Sequence, residues 1–202
     1  KNNLNQLKSK NLVRIQADLS NVQECKELFR KCLNSSYNLD ALINNAGTMI
    51  LSEDIEFIKI EDYDYVMNLN LKAPFILSQC ALNKMRKQKY GRIVNISSIG
   101  VKYGGNPTSA TYTISKSALE TLTVLFAKSG TPSGILVNTI RAGLTNTKFL
   151  KHNLKKNISD RIKLIPAQRM AEPFEIAESV FFLGSELNTY ISGSVLTVSG
   201  GE

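Results

Sequence analysis

Arg92-Ile93-Val94-Asn95-Ile96 is a run of strand-forming residues that stops at Ser97-Ser98. A glycine-rich loop, Gly100 to Pro107, follows it, and a helical pattern then runs from Ala110 to Lys128. The same alternation extends in both directions. Upstream, Leu12-Val13-Arg14-Ile15-Gln16-Ala17 reads as a strand. Ser20 then reads as the N-cap of a helix that places Val22, Cys25, Leu28, Phe29 and Cys32 on one face. Leu39 to Asn44 reads as the next strand, and a long helix is expected from Tyr63 to Met85 with a kink or local adjustment at Pro74. Downstream, Ile135 to Ile140 is a strand and the Lys-rich stretch from Lys148 to Lys163 is loop and helix. Pro173 suits the first position of a helix reaching Phe182, and Ser194 to Val198 is a last strand. Strands separated by helices predict an α/β fold with a parallel sheet, in a single domain over residues 1–202.

Composition narrows the function classes. The 202 residues are 43% hydrophobic and 21% charged, which excludes a disordered or collagen-like chain. No apolar run reaches the roughly 18–20 residues of a membrane span, so no membrane partner is expected. The polar start, Lys1 to Lys10, does not resemble a signal peptide. Cys25, Cys32 and Cys80 are odd in number and form no C-x-x-C pair, which suits the cytoplasm; the spacing of Cys25 and Cys32 predicts that both face the core. The net charge of +8 reads as a Lys-rich solvated surface. It lacks the aromatic interleaving of a nucleic-acid site, and no nucleic-acid partner is expected. His152 is the only histidine, no Gly-x-Ser-x-Gly elbow is present, and no metal cluster can be drawn.

Ligands of open parallel sheets bind at the carboxyl ends of the strands. Those ends carry Asp18, Asn44-Asn45-Ala46-Gly47, Ser97-Ser98, and Ala142-Gly143-Leu144-Thr145-Asn146-Thr147. Small hydroxylic and amide residues suit a polar small molecule. Tyr112 and Lys116, at i and i+4, share a helix face. An ammonium beside a phenol favours the phenolate and makes the tyrosine a usable acid or base. A serine hydroxyl at the neighbouring strand end can donate to a substrate oxygen as charge develops there. Asn70 is a mediocre helix former inside a predicted helix, and taken alone it reads as solvent-facing.

Taken in order, Asn44-Asn45-Ala46-Gly47, Asn70-Leu71, Ser98, Tyr112-x-x-x-Lys116, and Gly143 with Thr147 resemble the short-chain dehydrogenase/reductase family. The resemblance runs from Leu12 to the C-terminus, and Pro166 to Pro173 with Val198 to Gly201 look most like 3-oxoacyl-carrier-protein reductases. It implies a Rossmann-like, doubly wound parallel sheet with helices on both faces. It implies hydride transfer between a nicotinamide cofactor and a ketone or secondary alcohol. Tyr112 would be the general acid/base, and Lys116 would lower its pKa and hold the nicotinamide ribose. Ser98 would orient the substrate oxygen, and Asn70 would hold a relay water. Asp18 and Leu19 would contact the adenine; Asn44, Ala46 and Gly47 would line its ribose; Gly143, Thr145 and Thr147 would flank the carboxamide and phosphates. The cofactor would be NADP or NAD, with NADP preferred by analogy. The substrate would be a small carbonyl or alcohol compound, also in carrier-bound form, and the protein a homo-oligomer, a tetramer or dimer.

The sequence departs from the family pattern in places. Ser98 to Tyr112 is one residue longer than usual, so Ser97 competes with Ser98. Strand pairing fixes register more firmly than loop length does, which favours Ser98. Ala142 replaces the usual Pro and Ser199 the usual Asp. No glycine-rich phosphate-binding turn precedes Leu12. The expectation is a fragment of a longer protein that lacks the first βαβ portion and whose own activity is doubtful. The alternative is a non-catalytic binding or interaction protein on the same scaffold that has lost its nucleotide site.

Overall fold

In the computed structural model, residues 12–33, 38–153 and 158–202 are described. The polar start Lys1 to Lys10 and the side chains of His152, Lys155 and Lys156 lie outside that set. Four parallel strands form one sheet in the order β1 (Ala41–Asn44), β2 (Gly91–Ser98), β3 (Ile135–Ala142) and β4 (Val195–Val198). Asn44 pairs with Asn95, Ser98 with Ala142, and Ala142 with Val198, so the strand ends that carry the polar residues align along one edge.

The helices are α1 (Val22–Cys32), α2 (Ile60–Met67), α3 (Ala73–Gln88), α4 (Ala110–Gly130), α5 (Lys148–Asn153), α6 (Ile158–Lys163) and α7 (Pro173–Gly184). Side chains alternate across a strand, and the core divides accordingly. Ile93, Ile135 and Val137 pack with Ala81, Leu82, Met85, Phe126 and Ala127 of α3 and α4. On the opposite face, Val94 and Ile140 pack with Ile176, Val180 and Leu183 of α7. Helices thus cover both faces, as the α/β reading requires. Burying side chains of this size is worth about 1.5–3 kcal/mol each. Gly91 lets α3 close on β2: a Cβ there would stand 2.3 Å from Met85 Sδ.

Three local expectations are corrected, and the local adjustment expected at Pro74 takes a definite form. Leu12 to Ala17 is not a strand, because it pairs with no strand among the described residues. Asn21, not Ser20, caps α1: its Oδ1 accepts from the amides of Gln23 and Glu24 at 2.9 and 3.3 Å. Ser20 is drawn back, since its amide and hydroxyl both donate to Asp18 Oδ1. Cys25 is buried but Cys32 is exposed, because it ends the helix beyond the packed face. The long helix is interrupted by a π-turn at Asn68–Lys72, just ahead of Pro74, in which the Ala73 amide reaches the Asn68 carbonyl. Proline lacks an N–H and its ring crowds the carbonyl four residues back, that of Asn70. A wider turn relieves both problems.

Candidate active site

The π-turn determines where Asn70 goes. Its side chain is fully buried rather than solvent-facing. Oδ1 accepts from the Thr48 amide at 2.8 Å, while Nδ2 donates to the Thr48 carbonyl at 2.8 Å and to Ser115 Oγ at 3.0 Å. The loop after β1, the π-turn and α4 are tied together at this one amide. Gly47 lies against it: a Cβ at Gly47 would stand 3.3 Å from both Asn70 Oδ1 and Lys116 Nζ.

The start of α4 presents Tyr112 and Lys116 toward the end of β2. Lys116 is 4% exposed; its Nζ donates to the Ile96 carbonyl at 2.7 Å and lies 5.8 Å from the Tyr112 ring centre. Burial disfavours the ammonium and pulls its pKa down to about 8. The phenol of Tyr112 is pushed up by burial, and a hydrogen bond with the Ser98 side chain opposes that shift. Phe149 of α5 lies over it, ring centres 6.0 Å apart.

The two serines have different surroundings. Ser97 is buried, and its hydroxyl donates to Glu120 Oε1 at 2.7 Å. Glu120 in turn receives Arg141 through two contacts of 3.0 and 2.6 Å. The Ser98 side chain is the one that acts on the Tyr112 phenol. Both serines border a cleft of about 480 Å³ that is also lined by Tyr112, Gly143, Thr145, Thr147 and Phe149.

The remaining candidates divide. Gly143, Thr145 and Thr147 reach the cleft; a Cβ on Gly143 would come within 2.6 Å of Ser199 Cα, so only glycine fits there. Ala46 and Gly47 are exposed at the end of β1. Asn44 is buried and braces the sheet, donating to Ser78 Oγ at 3.1 Å and to Asn95 Oδ1 at 2.7 Å. Asp18 and Leu19 lie outside the cleft lining: the exposed Asp18 carboxylate is held by Ser20, and Leu19 packs against Cys25. Glu120 was not singled out from the sequence, yet it holds the cleft wall through Ser97, and Phe149 and Arg161 of the Lys-rich stretch border the cleft. Glu120 had one signal, its place four residues beyond Lys116 on the same helix.

The family model described as enoyl-(acyl carrier protein) reductase matches residues 1–202. The 3-oxoacyl-acyl-carrier-protein reductase FabG of Aquifex aeolicus is 34% identical over 192 residues, which span 93% of this chain and 75% of that protein. An acetoacetyl-CoA reductase of Acinetobacter sp. is 36% identical over 187 residues, spanning 91% and 73%. Among solved structures, ElxO with NADP bound superposes with a TM-score of 0.87 at 29% identity, over 95% of this chain and 78% of that one. A short chain dehydrogenase/reductase family protein does so at 0.82 and 29%, over 93% and 75%. Sequence and fold lead to the same group, and the chain belongs to the short-chain dehydrogenase/reductase family of NAD(P)-dependent oxidoreductases, built on a Rossmann-type sheet.

Proposed function

We propose that the protein interconverts a ketone and a secondary alcohol, with Tyr112 as the proton donor and acceptor. The observation that carries this reading is that Ser98 and Tyr112 line the same cleft wall, with the Ser98 side chain holding the phenol's pKa down against burial and the buried Lys116 one helical turn behind it. In the reducing direction the phenol gives its proton to the carbonyl oxygen, while Ser98 hydrogen-bonds the same oxygen as negative charge builds on it. The Lys116 ammonium stabilises the phenolate left behind. Asn70 fixes the loop at Thr48 and borders Lys116 Nζ at Gly47, where a water between them would return the proton.

The residues present fit a nicotinamide dinucleotide, which supplies or takes the hydride when bound. A Cβ at Gly47 would press on Lys116 Nζ at 3.3 Å, and the hydroxyls of Thr145 and Thr147 stand beyond the end of β3. Lys116 and Tyr112 would hold the ribose of the reacting ring; Asn44, Ala46 and Gly47 would hold the adenine ribose side, with Asp18 and Leu19 at the adenine; Gly143, Thr145 and Thr147 would hold the carboxamide and phosphates. NADP is the preferred cofactor, in keeping with the NADP bound to ElxO. The substrate is a small carbonyl compound, free or carrier-bound, as in the reductase FabG. Exposed apolar residues on α3, α4 and α7 (Phe75, Leu125, Phe181) and beyond α7 (Tyr190) favour a homo-oligomer. No helix among the described residues is long and apolar enough to cross a membrane. The three thiols are free, which supports a cytoplasmic location.

The test uses NADPH deuterated at the transferring C4 position, ethyl acetoacetate as ketone, and the full-length protein. Deuterium should appear at the new carbinol carbon and be lost in Tyr112→Phe. Bound NADPH with no isotope transfer would instead favour a binding protein on a dehydrogenase scaffold.

A further inference from the structure

We infer that the substrate is taken in its free form, not as a carrier thioester, that it carries a carboxylate, and that this group seats on Arg161, at the part of the cleft formed by α6. The inference rests on Tyr112 marking the reacting end of the same cleft. The cleft wall is otherwise apolar or neutral: Met49, Leu51, Ile99, Leu144, Phe149 and Leu150 with serine, threonine and tyrosine hydroxyls. Among the described lining residues, Arg161 is the only one with a charge.

Its setting is built. The Arg161 guanidinium donates to Glu202 Oε1, and the Glu202 side chain is only 4% exposed. A carboxylate this buried cannot follow its partner into solvent, so it fixes the guanidinium in place, while Arg161 lines the cleft. A guanidinium has five N–H donors in a fixed fork. No other hydrogen bond from that of Arg161 is made among the described residues, and 38% of its side chain is exposed.

Binding has a consequence for those spare donors. A ligand that fills a cleft of about 480 Å³ expels the water that satisfies them. A neutral apolar ligand leaves them desolvated and unpaired, which costs affinity; a carboxylate replaces the water with charge-assisted hydrogen bonds. A site of that kind discriminates strongly against an analogue lacking the acceptor. The charge matches one carboxylate better than a phosphate dianion, because Glu202 already neutralises part of the guanidinium.

The experiment measures equilibrium binding of 3-hydroxybutyrate and of its methyl ester to the full-length protein loaded with NADPH, a combination in which no hydride can transfer, by titration calorimetry. Wild type should bind the carboxylate at least tenfold tighter than the ester. Arg161→Met should bring the two within twofold, and Arg161→Lys should keep part of the preference. Arg161→Met with Glu202→Gln repeats the test without a buried unpaired carboxylate, so misfolding of the single variant does not decide it. Equal binding of both probes by wild type, or a preference that survives in the double variant, overturns the inference. Turnover of acetoacetate and its methyl ester is followed in parallel. Lost Tyr112 dependence with an intact carboxylate preference strikes the reading of the reacting end alone. Intact Tyr112-dependent turnover with no preference strikes Arg161 alone.

Discussion

Replacing Lys116 with Met should stabilise the protein while disabling it. Burial lowers the Lys116 pKa from 10.5 to about 8. At pH 7 the folded state therefore pays about 3 kcal/mol to keep the amine charged, at 1.36 kcal/mol per unit. Methionine removes that cost but also the 2.7 Å hydrogen bond to the Ile96 carbonyl, which returns about 1–2 kcal/mol. The net gain at pH 7 is about 1–2 kcal/mol. The pH dependence is more diagnostic than the size. Between pH 8 and 10.5 the unfolded lysine binds a proton that the folded one has lost, so wild-type stability rises with pH across that window. The variant lacks this rise. Its advantage should shrink by about 2 kcal/mol from pH 7 to pH 9.5. Urea unfolding of both proteins at several pH values reads this directly. An advantage that stays constant or grows with pH would refute the reasoning. Loss of turnover alongside the gain would show a buried ammonium kept for chemistry at the expense of stability.

Other outcomes follow from the same geometry. Ketone reduction should be flat through neutral pH and decline as pH rises through about 8, where Lys116 loses its charge; a profile without a decline between pH 7 and 9.5 contradicts its role. Ser98→Ala should lower kcat/KM by about 10²-fold. Ser97→Ala should instead cost about 1 kcal/mol of stability, by breaking the contact with Glu120, and leave turnover nearly unchanged; equal kinetic effects would undo the assignment of the two serines. Gly91→Ala should destabilise by about 1–3 kcal/mol through overlap with Met85, seen as a lower urea midpoint at unaltered activity per folded molecule.

The sheet edge was legible because strand and helix periods are local. β2, β3 and α4 emerged within a few residues of their observed bounds, and Tyr112 and Lys116 came together through helical spacing alone. What escaped depends on contacts between distant segments. Leu12 to Ala17 has strand composition, but a strand exists only when paired. Asn70 reads as a poor helix former, and nothing local tells that a π-turn buries it against Thr48 and Ser115. The polar chain from Ser78 through Asn44 and Asn95 to Thr123 joins residues from four elements, so no window of sequence contains it. Arg161 was seen only as one member of a basic stretch; its pairing with Glu202 spans 41 residues. The adenine-side expectation for Asp18 and Leu19 came from resemblance, and the cleft around Tyr112 does not extend to them.

The most direct test of the account compares chemistry with binding in Tyr112→Phe of the full-length protein. The substitution deletes one oxygen and keeps the ring that faces Phe149. Steady-state reduction of ethyl acetoacetate should fall by about 10² to 10⁴, the usual worth of a positioned proton donor. NADPH affinity, read from its fluorescence on binding, should change by less than about threefold. Turnover within a few-fold of wild type, with the cofactor still bound, would contradict Tyr112 as the residue that moves the proton.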